Sequence, residues 1–445
     1  MESYSILREF SKLKSKAIKS VACIVSESKV EELFDGHTYR ERLYHIWPLF
    51  QLWLYQSMVG GSCRETVAWG MAEGLIPPWA SPKTAAYCNA RSRLPEEPLW
   101  DLVKMIGRTI EDAADKRSRP FRREVVVVDG TSVQLPDTAE NQGEYPQPKR
   151  QKPGCGQPVM SLVALMGLVS GAILDLACGG GLGHERALFR ELWPSLKKGQ
   201  IVLADSGFCS YGEVAKLLEL GVDVLMCQTT NSLENKELIE IGRNDYIVIW
   251  KRGKQKLEWT ERDELPEILV VRAIEFETRC GNGMTARRII FTSLLDTKLY
   301  PREKLIELYR RRWEVEISFD DIKTEMGMAL LKCKTPKRCR SEILMGLIAY
   351  NIIRGVMLDA ARKAGLKPRE ISFKGTMQRL DLYFNSWSFD GDPERAYNLL
   401  LNHLAIDRLV ERPGRWEPRM RKRRPHNYSL LTKPRNSFNH APSTP

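Results

Sequence analysis

Paired cysteines are missing from this sequence. Ten cysteines are scattered along 445 residues without one C-x-x-C pair. That spacing speaks against zinc or a disulfide framework and for reduced thiols in a cytoplasmic protein. Long apolar runs are scarce too. The longest, Met160 to Leu174, is broken by Gly167 and Gly171. It falls short of the roughly 20 residues that span a bilayer, so no membrane is expected. The start, MESYSILREFSKLKSK, lacks the apolar core of a signal peptide. Acids are nearly absent between Arg412 and Arg435, where nine Lys or Arg stand against Glu417 alone. This stretch carries +8 of the net +12 and includes Trp416 and Tyr428. Such a segment suits a polyanion, whose counterions it would release, or serves as a solvated tail.

What is present is the makeup of a soluble globular chain, 43% hydrophobic and 28% charged. Its length calls for two or three domains. Residues 1–118 read as a helical N-terminal domain, for DNA binding or packing. Leu7, Phe10, Leu13, Ala17 and Val21 recur at helical spacing, Ser62-x-x-Glu65 is a capping box, and Ser81-Pro82 reads as a helix start. At Glu124 the period changes. EVVVVDG is a strand buried on both faces with Asp129 at its exit, and QIVLADSGF repeats the pattern with Asp205. Residues 138–157 read as a loop. Strands alternating with helices over 119–228 indicate a mixed α/β sheet, followed by a β-rich insertion over 229–287. The core resumes over 288–340, and 341–445 holds C-terminal helices and the basic tail.

The segment Tyr309–Lys323, YRRRWEVEISFDDIK, organises the rest. On a helix Tyr309, Arg312, Glu316 and Lys323 fall in one stripe roughly 60° wide. Beside it Leu308, Val315, Phe319, Ile322 and Met326 form an apolar stripe fit for a core. Two readings stay open on the helix alone: a surface helix with an Arg312–Glu316 pair, or a carboxylate flanked by phosphate ligands. Asp129 and Asp205 at strand exits add two further acids. Either can cap a turn. Three acids from separate elements can also hold Mg²⁺ or Mn²⁺, two ions about 4 Å apart serving an in-line phosphoryl displacement.

The spacing Tyr309-x2-Arg312-x3-Glu316-x6-Lys323 resembles the YREK signature of bacterial DDE insertion-sequence transposases, the insertion-sequence-4 family. VVVVDGT around Asp129, the Gly183–Glu185 tripeptide and LADSGF around Asp205 resemble that family in the same order. The resemblance runs from about residue 35 to the tail. It implies an RNase-H-like fold with Asp129, Asp205 and Glu316 as the metal-binding triad. It also implies Tyr309, Arg312 and Lys323 as phosphate contacts on double-stranded DNA, and cut-and-paste chemistry through a hairpin by a homodimer. Where some members hold a base-stacking Trp, four residues before Thr292, this chain has Arg288, whose planar head can stack on a base.

Three rivals remain. A phosphatase of the haloacid dehalogenase type needs an Asp two residues before Asp129, where Val127 stands. Another nuclease on the same fold would share the carboxylates but not need the YREK face. A catalytically inactive, transposase-derived DNA-binding protein would keep the DNA contacts without cutting.

Overall fold

The computed structural model describes residues 25–437, apart from 38, 40–41, 182–184, 229–232, 235, 254–258, 261–263, 280–284, 387–392 and 410–430. The helical spacing of Leu7–Val21, the turn at Gly281–Gly283 and most of the basic tail lie outside the described residues.

Among the described residues five helices come first: α1 (Glu27–Phe34), α2 (Ile46–Val59), α3 (Cys63–Ala72), α4 (Ala85–Arg93) and α5 (Glu97–Ala113). The capping box at α3 forms as its sequence predicts. Ser62 Oγ accepts from the Glu65 N–H at 3.2 Å and Glu65 Oε2 from the Ser62 N–H at 3.3 Å. The start at Ser81-Pro82 does not. Ser81 closes a local turn by accepting from the Lys83 N–H, and α4 begins three residues later, behind Thr84. A side chain that bonds two residues ahead competes with a helix cap, and here it wins.

Among the described residues nine strands form one sheet: β1 (Val125–Gln134), β2 (Val159–Gly167), β3 (Ile173–Gly180), β4 (Ile201–Ala204), β5 (Asp223–Gln228), β6 (Glu237–Gly242), β7 (Asp245–Lys251), β8 (Ile268–Arg279) and β9 (Thr285–Thr292). Their spatial order is β3-β2-β1-β4-β5-β9-β8-β7-β6. Only β1–β4 and β4–β5 are parallel. The strands within 229–287 therefore extend the central sheet beyond β9. This mixed, mostly antiparallel α/β arrangement is compatible with an RNase-H-like domain.

The valine run explains why β1 sits centrally. Val125 and Val127 enter the core on one face, Val126 and Val128 the core on the other, and all four are buried. A strand covered on both sides needs apolar residues at every position, not alternate ones. Beyond Val128 the chain does not exit. β1 continues as one strand past Asp129, because β2 pairs with it as far as Gln134. The parallel partner β4 stops opposite Val127, so Asp129 lies mid-strand yet one side of it is open. The loop expected over 138–157 contains a short helix, α6 (Ala139–Glu144), capped by Thr138 accepting from the Asn141 N–H.

After α7 (Glu185–Glu191) and α8 (Tyr211–Glu219), the helical segment that follows Pro301 changes its hydrogen bonding along its length. It is α9 (Arg302–Arg310), a 3₁₀ turn at Arg311–Trp313, α10 (Glu314–Asp320) and a π turn at Asp321–Glu325. Leu308, Val315, Phe319, Ile322 and Met326 are all buried along it, as the periodicity predicts. The C-terminal helices are α11 (Pro336–Ala364), α12 (Phe373–Ser386) and α13 (Pro393–Ile406), of which α12 was not apparent in the sequence.

Helix α11 is long and apolar enough to cross a membrane, but it is the buried centre of the helical layer. Its Asn351 ties three elements together. Oδ1 accepts from the Ile173 N–H at 2.8 Å, while Nδ2 donates to Ile173 O at 2.9 Å and Val103 O at 3.3 Å. Close approach here depends on Gly107 of α5, where a Cβ would lie 1.9 Å from Ile173 O. Alanine in a helix ordinarily gains about 1 kcal/mol over glycine. At this contact overpacking of about 1–3 kcal/mol outweighs that gain. Gly107→Ala is expected to lower the urea midpoint, and a raised midpoint would refute the contact.

Candidate active site

Asp129, Asp205 and Glu316 arrive from three elements and meet around Arg312. Asp129 is placed by β1 where β4 no longer covers it, and Asp205 directly follows β4. Glu316 sits on α10, one turn after Arg312. Arg312 is almost fully buried, and its guanidinium spans two of the acids. Nη1 is 3.1 Å from Asp129 Oδ2 and Nη2 is 3.3 Å from Glu316 Oε1.

Burial raises the Asp129 carboxyl to about 6, against the opposing pull of the Gly130 N–H and Arg312, with Asp205 and Glu316 adding repulsion. Asp205 and Glu316 thus each act on the Asp129 charge. Burial alone would lower Arg312, but Tyr309, Asp129, Glu316 and Asp205 together hold it above the ordinary arginine value. Asp205 accepts from the Gly207 N–H at 2.8 Å, which fixes the turn after β4.

The remaining predicted residues are distributed along the same edge. Lys323 Nζ donates to Thr131 Oγ1 at 3.2 Å, two residues along β1 from Asp129. Tyr309 is buried, its ring edge-on to Phe276 at 6.1 Å. Burial pushes its hydroxyl well above the usual tyrosine range. Arg288 is exposed on β9 directly opposite Phe276. Directly opposed residues share a face, so Arg288 stands on the side that carries Tyr309. No ion pair among the described residues joins it to the three acids. Trp250 and Trp259 serve packing: Trp250 meets Tyr211 and Phe291, and Trp259 meets Trp193 and the Arg190 guanidinium.

Glu185 is a fourth acid at this edge. Burial, and then the charge of Asp205, raise its carboxyl. A Cβ on Gly130 would fall 2.6 Å from Glu185 Oε1, so the glycine after Asp129 is what admits this side chain. The Gly183–Glu185 tripeptide was the sequence signal for it, although spacing alone gave it no task.

Among the described residues no three acids, histidines or cysteines are gathered closely enough to hold an ion as they stand. The reason is local, since Arg312 lies between Asp129 and Glu316 as their counter-charge. The donor set itself is all carboxylate oxygen, which fits a hard divalent cation such as Mg²⁺ or Mn²⁺ and not a soft one.

Residues 120–352, just over half the chain, match the transposase DDE domain family. The chain belongs to that family, within its insertion-sequence-4 group. It is 26% identical over 329 residues to the transposase InsG for insertion sequence element IS4 of Escherichia coli (strain K12), covering 69% of this chain and 70% of that one. It is also 20% identical over 185 residues to a putative transposase for insertion sequence element IS4SA of Synechocystis sp. (strain ATCC 27184 / PCC 6803 / Kazusa), covering 42% and 49%. An insertion-sequence transposase acts on DNA, and divalent metal ions are the general cofactors of its family.

Proposed function

We propose that this transposase cuts and pastes its element through an RNase-H-like catalytic core, with Asp129, Asp205 and Glu316 as the metal-holding acids. The observation that carries this reading is the single guanidinium, Arg312, shared by Asp129 and Glu316 within range of Asp205. Two divalent ions, Mg²⁺ or Mn²⁺, held there would activate an oxygen nucleophile and stabilise the leaving oxygen. The chain's own residues do the rest. Tyr309, Arg312 and Lys323 bind the phosphates flanking the scissile bond, the two cations by charge-assisted hydrogen bonds. Arg288 stacks on a base beside them.

Water opens the strand to leave a 3′-OH, which attacks the opposite strand and closes a hairpin. The reopened end then joins target DNA. Each step is a phosphodiester displacement by oxygen, so one site can serve all of them. Two ends must be held together, which calls for a homodimer in the DNA complex. The place of action is the cytoplasm, at the nucleoid. In domain terms, 119–228 and 288–340 make the core, 229–287 an insertion, 1–118 an N-terminal domain and 341–445 the C-terminal region.

The test uses purified full-length protein and a labelled linear fragment carrying the element's own ends. Strand cleavage with Mg²⁺, lost on adding EDTA, and hairpin products on a denaturing gel are the expected results. Binding without cleavage in any divalent metal would leave a DNA-binding relic and end the catalytic reading.

A further inference from the structure

A second basic surface lies away from the carboxylates and from the tail. The nine residues Lys332–Arg340 hold five Lys or Arg and no acid. Such a run is often only a solvated face. Here it borders a cleft between the N-terminal helices and the chain that leaves the π turn, lined by Trp53, Arg91, Lys332, Lys334, Arg338 and Glu342 among others.

The charges in this cleft are poorly balanced. Arg340, on the outer side, is neutralised by Glu96 and Glu144. Lys334 and Arg338 have no ion pair among the described residues. Glu342 accepts from the backbone N–H groups of Lys332 and Cys333, at 3.1 and 3.0 Å, so it shapes the loop. Among the described residues Lys332 Nζ reaches only the Gly60 carbonyl, at 3.4 Å.

At the floor, Arg91 is largely buried and has no carboxylate partner among the described residues. It donates to Gln56 Oε1 and to the thiols of Cys63 and Cys333, the latter two at 3.7 Å, and lies 4.6 Å over the Trp53 ring. Its Nε is buried without a partner. A guanidinium removed from water without an anion leaves a positive potential that a nearby anion would satisfy.

This surface is fixed relative to the candidate active site. The Gln134 N–H donates to Ala329 O at 3.0 Å, and the Leu331 N–H to Gln134 O at 2.9 Å. The basic loop is thus stitched to the far end of the strand that carries Asp129. Five residue steps of strand, about 17 Å, separate Asp129 from Gln134, where the loop is stitched. The cleft measures about 300 Å³, too small to admit a duplex. Contact is therefore with phosphates at its rim.

We propose that Lys332, Lys334 and Arg338, above Arg91, form a second contact surface for the phosphate backbone of duplex DNA, held in place relative to the carboxylates by β1. This rests on the transposase reading for its partner, but its test does not require cleavage. Full-length protein is titrated into a labelled mixed-sequence duplex at several salt concentrations. Each phosphate contact adds about 0.9 to the slope of log affinity against log salt. The triple variant Lys332→Gln, Lys334→Gln, Arg338→Gln is expected to reduce that slope by about 2.7, and Lys334→Gln alone by about 0.9.

A triple variant that melts at the wild-type temperature with the wild-type slope would overturn the assignment. Should the triple variant not fold, exposed Lys334 decides: an unchanged slope in Lys334→Gln is equally fatal. Cleavage by the wild type under Mg²⁺ is scored separately. A reduced slope without any cleavage would support the surface while removing the catalytic reading, and the converse would do the opposite.

Discussion

Glu316→Gln is expected to slow metal-dependent strand cleavage by at least about 10³-fold, a barrier increase of roughly 4 kcal/mol. Glutamine keeps the shape and one acceptor oxygen but removes the charge that a hard cation requires. The fold should be indifferent to the change. The Glu316 side chain is 48% exposed, and its ion-pair partner among the described residues is Arg312, at 3.3 Å. Glu316 is half-exposed and the buried Arg312 keeps Asp129 as a partner, so the loss of stability should be small, about 1 kcal/mol at most. Cleavage of a labelled element end and a thermal melt, run side by side, separate the two effects. A variant that still cuts within about tenfold of the wild-type rate would remove Glu316 from the metal-holding set.

Asp129→Asn should abolish cleavage as well, and yet make the protein more stable. The Asp129 carboxyl titrates at about 6 in the fold against an ordinary value of 3.8. Its folded-state value is raised, so the folded chain holds that proton more tightly than the unfolded chain does. Between about pH 4 and 6 the unfolded chain loses the proton first, and stability falls as pH rises through this window. Above it the penalty is complete, at most about 3 kcal/mol for a shift of roughly two units.

Asparagine is neutral at every pH and escapes the penalty. Urea melts at pH 7 should show Asp129→Asn about 2–3 kcal/mol more stable than wild type, with the gap closing towards pH 4. Mg²⁺ should raise the wild-type melting temperature at pH 7 and leave that of the variant nearly unmoved, since binding to the folded state stabilises by mass action. A less stable variant at pH 7 would mean that the Arg312 contact outweighs burial.

The parts of this molecule legible in the sequence were those set by local periodicity. Four consecutive valines can only be a strand covered on both faces, and the apolar stripe beside Glu316 had to be buried. The limits were equally physical. Asp129-Gly130-Thr131 has the polarity of a strand exit, yet the chain stays extended because β2 keeps supplying partners after β4 has ended. The switch from α to 3₁₀ to π hydrogen bonding near Arg312 reflects tertiary pull and leaves no mark in composition. Tyr309, Arg312 and Lys323 could be placed on one edge by spacing. That Glu185 joins them through the gap left by Gly130 could not. The basic cleft was hidden because its floor, Arg91, comes from a helix some 240 residues away from its rim.

Asp129 and Glu316 are 187 residues apart in the chain. At ribosomal rates of about 5–20 residues per second, the second follows the first by roughly 10–40 s. During that interval the nascent polypeptide can complete the strands β1 to β9, but it holds no partner for the open side of Asp129. Closing so long a loop is entropically slow, and contacts of this separation form late. A translation product that stops before α10 would carry the assembled sheet and two of the three acids. On the proposed triad, whether a cell makes an intact cutting centre is thus decided in the last third of synthesis.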